Sequence, residues 1–172
     1  MPGGLTGLRV IDLSLCSSLA ADWLPESSGG SVEVINASDS SLVCVPGDMI
    51  KLRDINVGAC RSLTADWLPE SSGTNVKKLN ACYSSLVRVP GHMTKLREIN
   101  VRYCSSLSAD WLPASSKDSV EKIDASHSSL VRVPGDMTKL WLIDVSGCPS
   151  LAADWLPESS RKCPGFMVHG SD

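Results

Sequence analysis

The sequence predicts an α/β repeat solenoid: a curved, right-handed coil with a parallel β-sheet on its concave face and short helical or extended segments on its convex face. Three observations lead there. Trp23, Trp67, Trp111 and Trp155 recur at a fixed interval of 44 residues, each within the phrase Ala-Asp-Trp-Leu-Pro. Cys16, Cys60, Cys104 and Cys148 recur at the same interval. Each unit also opens on short runs in which apolar and polar residues alternate, as a half-buried strand requires. A period of this size marks a stacked array, in which one coil cannot bury its apolar face alone but neighbouring coils bury a continuous core.

The 44-residue unit divides into halves of 24 and 20 residues, so that repeats start at Leu8, Val32, Leu52, Val76, Leu96, Val120 and Leu140. The longer half opens Leu8-Arg9-Val10-Ile11-Asp12-Leu13-Ser14-Leu15-Cys16-Ser17-Ser18-Leu19. The shorter opens Val32-Glu33-Val34-Ile35-Asn36-Ala37-Ser38-Asp39-Ser40-Ser41-Leu42 and continues to Val45-Pro46. Both follow the pattern L-x-x-L-x-L-x-x-(N/C)-x-(x)-L, with one extra residue before the last leucine of the longer half. On these motifs the chain resembles the leucine-rich-repeat family from residue 1 to about 160, with unit lengths inside the family range. In spacing alone, the Cys-type long halves with Leu-Pro endings look like those of intracellular plant-type resistance receptors and repeat-bearing large GTPases. The resemblance implies a solenoid over 1–160 and a C-terminal tail over 161–172.

Each element has a local reason. Ile11 and Leu13 point inward from the first strand while Asp12 points out, and Leu19, Leu24, Leu42 and Val45 fill the coil interior on the return path. The ninth position of each repeat, where Asn or Cys usually satisfies backbone groups inside the turn, holds Cys in the long halves and Ser40, Ser84 and Ser128 in the short ones. Ser and Cys bond less well than Asn, so the coil turns are expected to be less tightly held. The segment Leu19 to Leu24 is expected to form one or two helical turns stopped by Pro25. The segment Leu42 to Gly47 is short and β-branched, and is expected to be extended with a Pro-Gly turn. Residues 1–7 align with 45–51 at the same offset. Pro164 stands where a new short half should begin, so the tail is expected to leave the pattern. Neither end shows a capping unit, which suggests a piece cut from, or recently expanded within, a longer array.

The framework barely changes from unit to unit, but the outward strand positions do. The third position runs Val10, Val34, Asp54, Lys78, Glu98, Lys122, Leu142, and the eighth runs Leu15, Asp39, Ala59, Tyr83, Tyr103, His127, Gly147. The seventh includes Cys82 and Arg102. Variation confined to one face is what a recognition surface produces. Neutral drift at solvent positions would also spare the core. The candidate binding residues are Asp39, Asp54, Lys78, Tyr83, Glu98, Arg102, Tyr103, Lys122 and His127. The fifth position, Asp12, Asn36, Asn56, Asn80, Asn100, Asp124, Asp144, reads first as a structural ladder of short polar side chains, and second as a polar track for a ligand backbone.

Several function classes are excluded or disfavoured. With 16 basic and 19 acidic residues the chain has a net charge of −3, which gives no basic face for nucleic acid. No apolar run reaches membrane-spanning length, so no membrane partner is expected. No nucleophile is paired with a base, since the repeated Ser-Ser pairs read as turn residues and helix caps. No paired cysteines at metal-binding spacing and no phosphate loop occur. His92 stands where sister units have Asp48 and Asp136 and reads as a surface position. No catalytic residue, metal or cofactor is expected. The in-phase cysteines read as unpaired scaffold residues, which favours a reducing, cytoplasmic setting. The expected function is protein–protein recognition through the concave strand face, with a protein as partner. The alternatives are a substrate-recruiting fragment of a larger enzyme, such as a ubiquitin ligase or kinase, and a structural array that self-associates end to end.

Overall fold

A computed structural model describes residues 7–20, 22–24, 28–162 and 167–169. Eight strands of three residues each follow one another along the chain: β1 (Val10–Asp12), β2 (Val34–Asn36), β3 (Asp54–Asn56), β4 (Lys78–Asn80), β5 (Glu98–Asn100), β6 (Lys122–Asp124), β7 (Leu142–Asp144) and β8 (Met167–His169). They form one parallel sheet in sequence order. Register is fixed by the repeat: Val10 pairs with Val34, Val34 with Asp54, and Asp54 with Lys78. The central residue of each strand from β1 to β7 is an Ile or Leu buried inside the coil. Its two neighbours face outward, because side chains alternate along a strand.

The return path is built differently from the expectation. No helix forms before the Leu-Pro phrase among the described residues. The single helical turns come after it, as α1 (Glu70–Gly73) and as 3₁₀ turns at Gly29–Ser31, Ala114–Ser116 and Glu158–Lys162. Pro69 and Pro113 are extended, with ψ of 151° and 147°, and stand immediately before their turns. Proline disfavours a helical residue ahead of it and suits a helix start, so the phrase launches a turn and does not stop one. The Trp segment makes a non-helical turn, in which the Trp111 and Trp155 amides donate to the carbonyls of Ser108 and Ala152, and is tied to the short half beside it. The amides of Val45, Val89 and Val133 donate to the carbonyls of Trp67, Trp111 and Trp155 at 2.7, 2.7 and 2.9 Å.

The core runs the length of the stack. It contains Trp67 and Trp111, the Val and Leu rows, and a row not expected from the repeat pattern, Met49, Met93 and Met137, each fully buried behind a Pro-Gly turn. The second serine of the pair that follows each Leu-Pro phrase, Ser28, Ser72, Ser116 and Ser160, is also buried. Ser72 Oγ accepts from the Met49 amide at 3.2 Å and donates to the Pro46 carbonyl at 2.9 Å, so it ties two coils together.

The ninth-position residues bond both within and between coils. Cys60, Cys104 and Cys148 donate Sγ–H to the carbonyls of Ala37, Ala81 and Ala125 at 2.9–3.0 Å. Ser40, Ser84 and Ser128 accept the amides two residues on at 3.3 Å, and lie 3.6–3.8 Å from the sulfur of the next coil. Cys16, Cys44, Cys60, Cys82, Cys104 and Cys148 are all free thiols.

The sheet continues past residue 160. β8 pairs with β7, with Met167 opposite Leu142. That step is 25 residues where the other long steps are 24. The one-residue shift explains why the pattern seemed to end at Pro164. Cys163, Pro164 and Phe166 lie outside the described residues.

Candidate functional site

The outward side chains form two adjoining features, a groove over the sheet and a rim beyond the strand ends. The groove has a volume of about 540 Å³ and is lined by the third and fifth positions, including Asp54, Lys78, Glu98 and Lys122. These four alternate in sign along neighbouring strands and cancel. Lys78 Nζ lies 3.4 Å from Glu98 Oε2, and Lys122 Nζ lies 4.9 Å from the centre of the Trp141 ring. Val34 and Leu142 flank the charged stretch. Such a floor offers charge pairing at chosen points, and the remaining Asp124 and Asp144 leave it acidic, which would not gather a polyanion.

The fifth position is occupied by its own structure. In every coil from Asp12 to Asp144 its Oδ1 accepts the amide two residues on, at 2.9–3.3 Å. These are Asx turns, which short polar side chains make readily. Asn56 also donates to Asn36 at 3.0 Å, and Asn36 to Asp12 at 3.2 Å. Of the two readings of this ladder, the structural one matches these bonds.

Past the Asx turn the chain makes a tight reversal. The ninth amide donates to the sixth carbonyl, as from Cys60 to Val57 and from Cys104 to Val101. The eighth residue is left-handed in all seven coils: φ is 64° at Leu15, 54° at Asp39, 56° at Ala59, 59° at Tyr83, 56° at Tyr103, 56° at His127 and 66° at Gly147. Its amide reaches the seventh carbonyl of the next coil, as from Ala59 to Cys82 and from Tyr83 to Arg102. This turn geometry ordinarily calls for Gly or Asn. Only Gly147 obeys, and Asp39 tolerates the position.

The bulky residues at this strained position stack. The Tyr83 and Tyr103 rings lie 4.4 Å apart at 14°, and Tyr103 and His127 lie 4.8 Å apart at 6°. The column ends where the His127 ring covers Gly147; a Cβ there would run into its Nδ1 and Cε1. Arg102 sets its Cζ 5.1 Å from the Tyr103 centroid, and donating to the Tyr103 hydroxyl oxygen pushes its guanidinium pKa further up. The Tyr83 phenol is also raised, first by desolvation and then by the adjacent Tyr103.

Among the described residues no group of three or more His, Cys, Asp or Glu could hold a metal ion, and no helix is long and apolar enough to cross a membrane. No family model matches the chain, and no curated protein matches it. Among solved structures it is similar to the leucine-rich repeat domain of the type III effector XopL, with a TM-score of 0.65 at 19% identity over 99% of this chain and 72% of that one. The fold is that of a leucine-rich-repeat solenoid.

Within the leucine-rich-repeat solenoid, the nine candidate residues separate into two sets. Asp54, Lys78, Glu98 and Lys122 line the groove. Asp39, Tyr83, Tyr103 and His127 occupy the left-handed rim, with Arg102 alongside. The two sets do not share one strand face, because the eighth position lies past the strand end, in the turn. The clue to the turn was in the eighth column itself, which mixes Gly, Asp and Ala with large residues. His92 is half-buried and not a surface residue. Its ring packs on Gly73, and its buried Nε2 has no hydrogen-bond partner.

Proposed function

We propose that the chain is a non-catalytic protein-recognition module that engages a protein partner through the groove and its aromatic rim. One observation carries this reading. Tyr83, Tyr103 and His127 sit at a backbone position that costs an L-residue about 1–2 kcal/mol, and their rings fill no part of the core. Residues retained against strain and stacked on the surface are the kind of rigid aromatic anchors that dominate interfaces. The alternating charges of Asp54, Lys78, Glu98 and Lys122 would fix the register of a partner lying along the groove. The free thiols support a reducing, cytoplasmic setting.

The test is capture with the purified chain, compared with a variant carrying Tyr83→Ala, Tyr103→Ala and His127→Ala. A partner held by the native chain should bind the variant at least about 30-fold more weakly, since one lost aromatic anchor typically costs ~2 kcal/mol. The variant should keep the native far-UV circular dichroism, because the substituted side chains lie outside the core. Unchanged affinity for every partner identified would refute the reading.

A further inference from the structure

The aromatic column is open at one end. From Gly147 backward, the rungs are His127, Tyr103 and Tyr83, and then the next coil offers only the methyl group of Ala59. Beyond it stands Asp39, exposed on the same left-handed rung one coil further. Tyr103 is half-buried between two rings, whereas Tyr83 is 53% exposed because its outer face meets no ring. Rungs follow the strand spacing of about 4.8 Å, and the rings stack at 4.4 and 4.8 Å. The gap over Ala59 is therefore one planar group thick. It has a π face on one side and the rung of exposed Asp39 on the other.

We propose that this notch receives the guanidinium of an arginine side chain from the protein partner, stacked on Tyr83 and paired with Asp39. The proposal rests on the recognition reading above and names the chemistry of one anchor. A guanidinium is flat enough to continue the column, and its positive charge is attracted to the ring face. Its positive charge then lies across the notch from the Asp39 rung, where the two attract without a bond in the stacking direction. A lysine ammonium has the charge without the plane, and a neutral aromatic ring has the plane without a charge to set against Asp39. The column is also compatible with a guanidinium nearby, since Arg102 already lies beside Tyr103.

The chain has two tyrosines, so selective ¹³C labelling of tyrosine rings gives a direct readout. The probes are the N-acetyl methylamides of arginine, of citrulline (same shape, no charge) and of lysine (charge, no plane). The arginine probe should shift the Tyr83 ring signals saturably. It should move Tyr103, whose two faces are covered, by less than about half as much. Citrulline and lysine probes should each bind at least about three-fold more weakly, the scale of an exposed charge or stacking term. Asp39→Asn should weaken the arginine probe about three-fold while keeping a residue suited to the left-handed rung. Ala59→Leu should abolish the Tyr83 shift by filling the notch, and Leu15, with φ of 64°, shows that the rung accepts leucine. Urea unfolding of each variant checks that it is folded.

No Tyr83 shift, equal shifts with all three probes, or a shift that survives in folded Ala59→Leu would each overturn the proposal. If the Tyr83, Tyr103 and His127 variant still loses its protein partner, recognition through the rim stands and only the arginine anchor is wrong. If partner binding survives that variant while the arginine probe still shifts Tyr83, the notch exists but recognition lies elsewhere.

Discussion

Replacing Ala59 by glycine and Gly147 by alanine should move stability in opposite directions, although both residues occupy the same turn. Ala59 has φ of 56° and Gly147 of 66°. A left-handed conformation costs an alanine about 1–2 kcal/mol. A glycine instead gives up about 0.5–1 kcal/mol more chain entropy on folding. Ala59→Gly removes the first term and adds the second, for a net stabilisation of about 0.5–1 kcal/mol. Gly147→Ala reverses both terms and also drives a methyl into the His127 ring. That ring cannot swing aside without leaving Tyr103, a contact worth about 0.5–1.5 kcal/mol. The expected destabilisation is about 1–2.5 kcal/mol in total. Urea unfolding followed by tryptophan fluorescence measures both effects, provided the slope of each transition is unchanged. In a His127→Ala background the Gly147→Ala penalty should shrink by the steric part, which a double-mutant cycle isolates. Destabilisation by Ala59→Gly, or no effect of Gly147→Ala, would show that the left-handed turn is not what sets these positions.

Ser72→Ala should destabilise the fold by about 1–3 kcal/mol in the same assay, since it strands the Met49 amide and the Pro46 carbonyl between coils. Cys60 and Cys104 should resist alkylation until the chain unfolds, whereas half-buried Cys44 should react in the native state; mass spectrometry of non-reduced protein showing a 16–60 or 104–148 bridge would contradict the free-thiol assignment. Burial pushes the Cys104 thiol up from its ordinary value. Its contribution to stability is thus full below the ordinary thiol range of about 8.5 and is lost as pH rises through the folded-state value. Chemical denaturation across that range should show a steeper loss for the native chain than for Cys104→Ala. Deleting residues 163–172 removes β8 and frees the Trp141 carbonyl and the Val145 amide, which pair with Met167 and His169 at 2.8 and 3.0 Å. Open edges template further pairing, so the shortened chain should melt at a lower temperature or show a raised mass in light scattering, and a monomer with an unchanged midpoint would contradict this.

The repeat period made the sheet and its register readable from the sequence, because parallel strands recurring at fixed steps have few ways to stack. The core rows at Leu, Val and Trp were readable for the same reason. Other features were not, each for a physical cause. Met49, Met93 and Met137 follow a Pro-Gly turn, and composition there suggests exposure although the turn folds the next residue inward. The helical turns lie after Leu-Pro because proline restricts the residue ahead of it more than those behind. The β8 strand was hidden by a single added residue. At the site, the outward third position was legible from alternation alone. The rim was not, since a left-handed φ at tyrosine or histidine runs against local preference and becomes visible only when seven coils are laid side by side.

The alternation of serine and cysteine at the ninth position bears on how such an array can lengthen or shorten. Each short-half serine faces the sulfur of the following long half, at 3.6 Å for Ser40 and Cys60, 3.8 Å for Ser84 and Cys104, and 3.7 Å for Ser128 and Cys148. Excision of one 20-residue coil would bring two long halves together and set thiol against thiol at neighbouring-strand distance, within reach of a disulfide. Excision of one 24-residue coil would set serine against serine. Only the loss or gain of a 44-residue pair leaves every contact in kind. The heritable module is therefore the pair of coils, and copy number in this array should change in even steps.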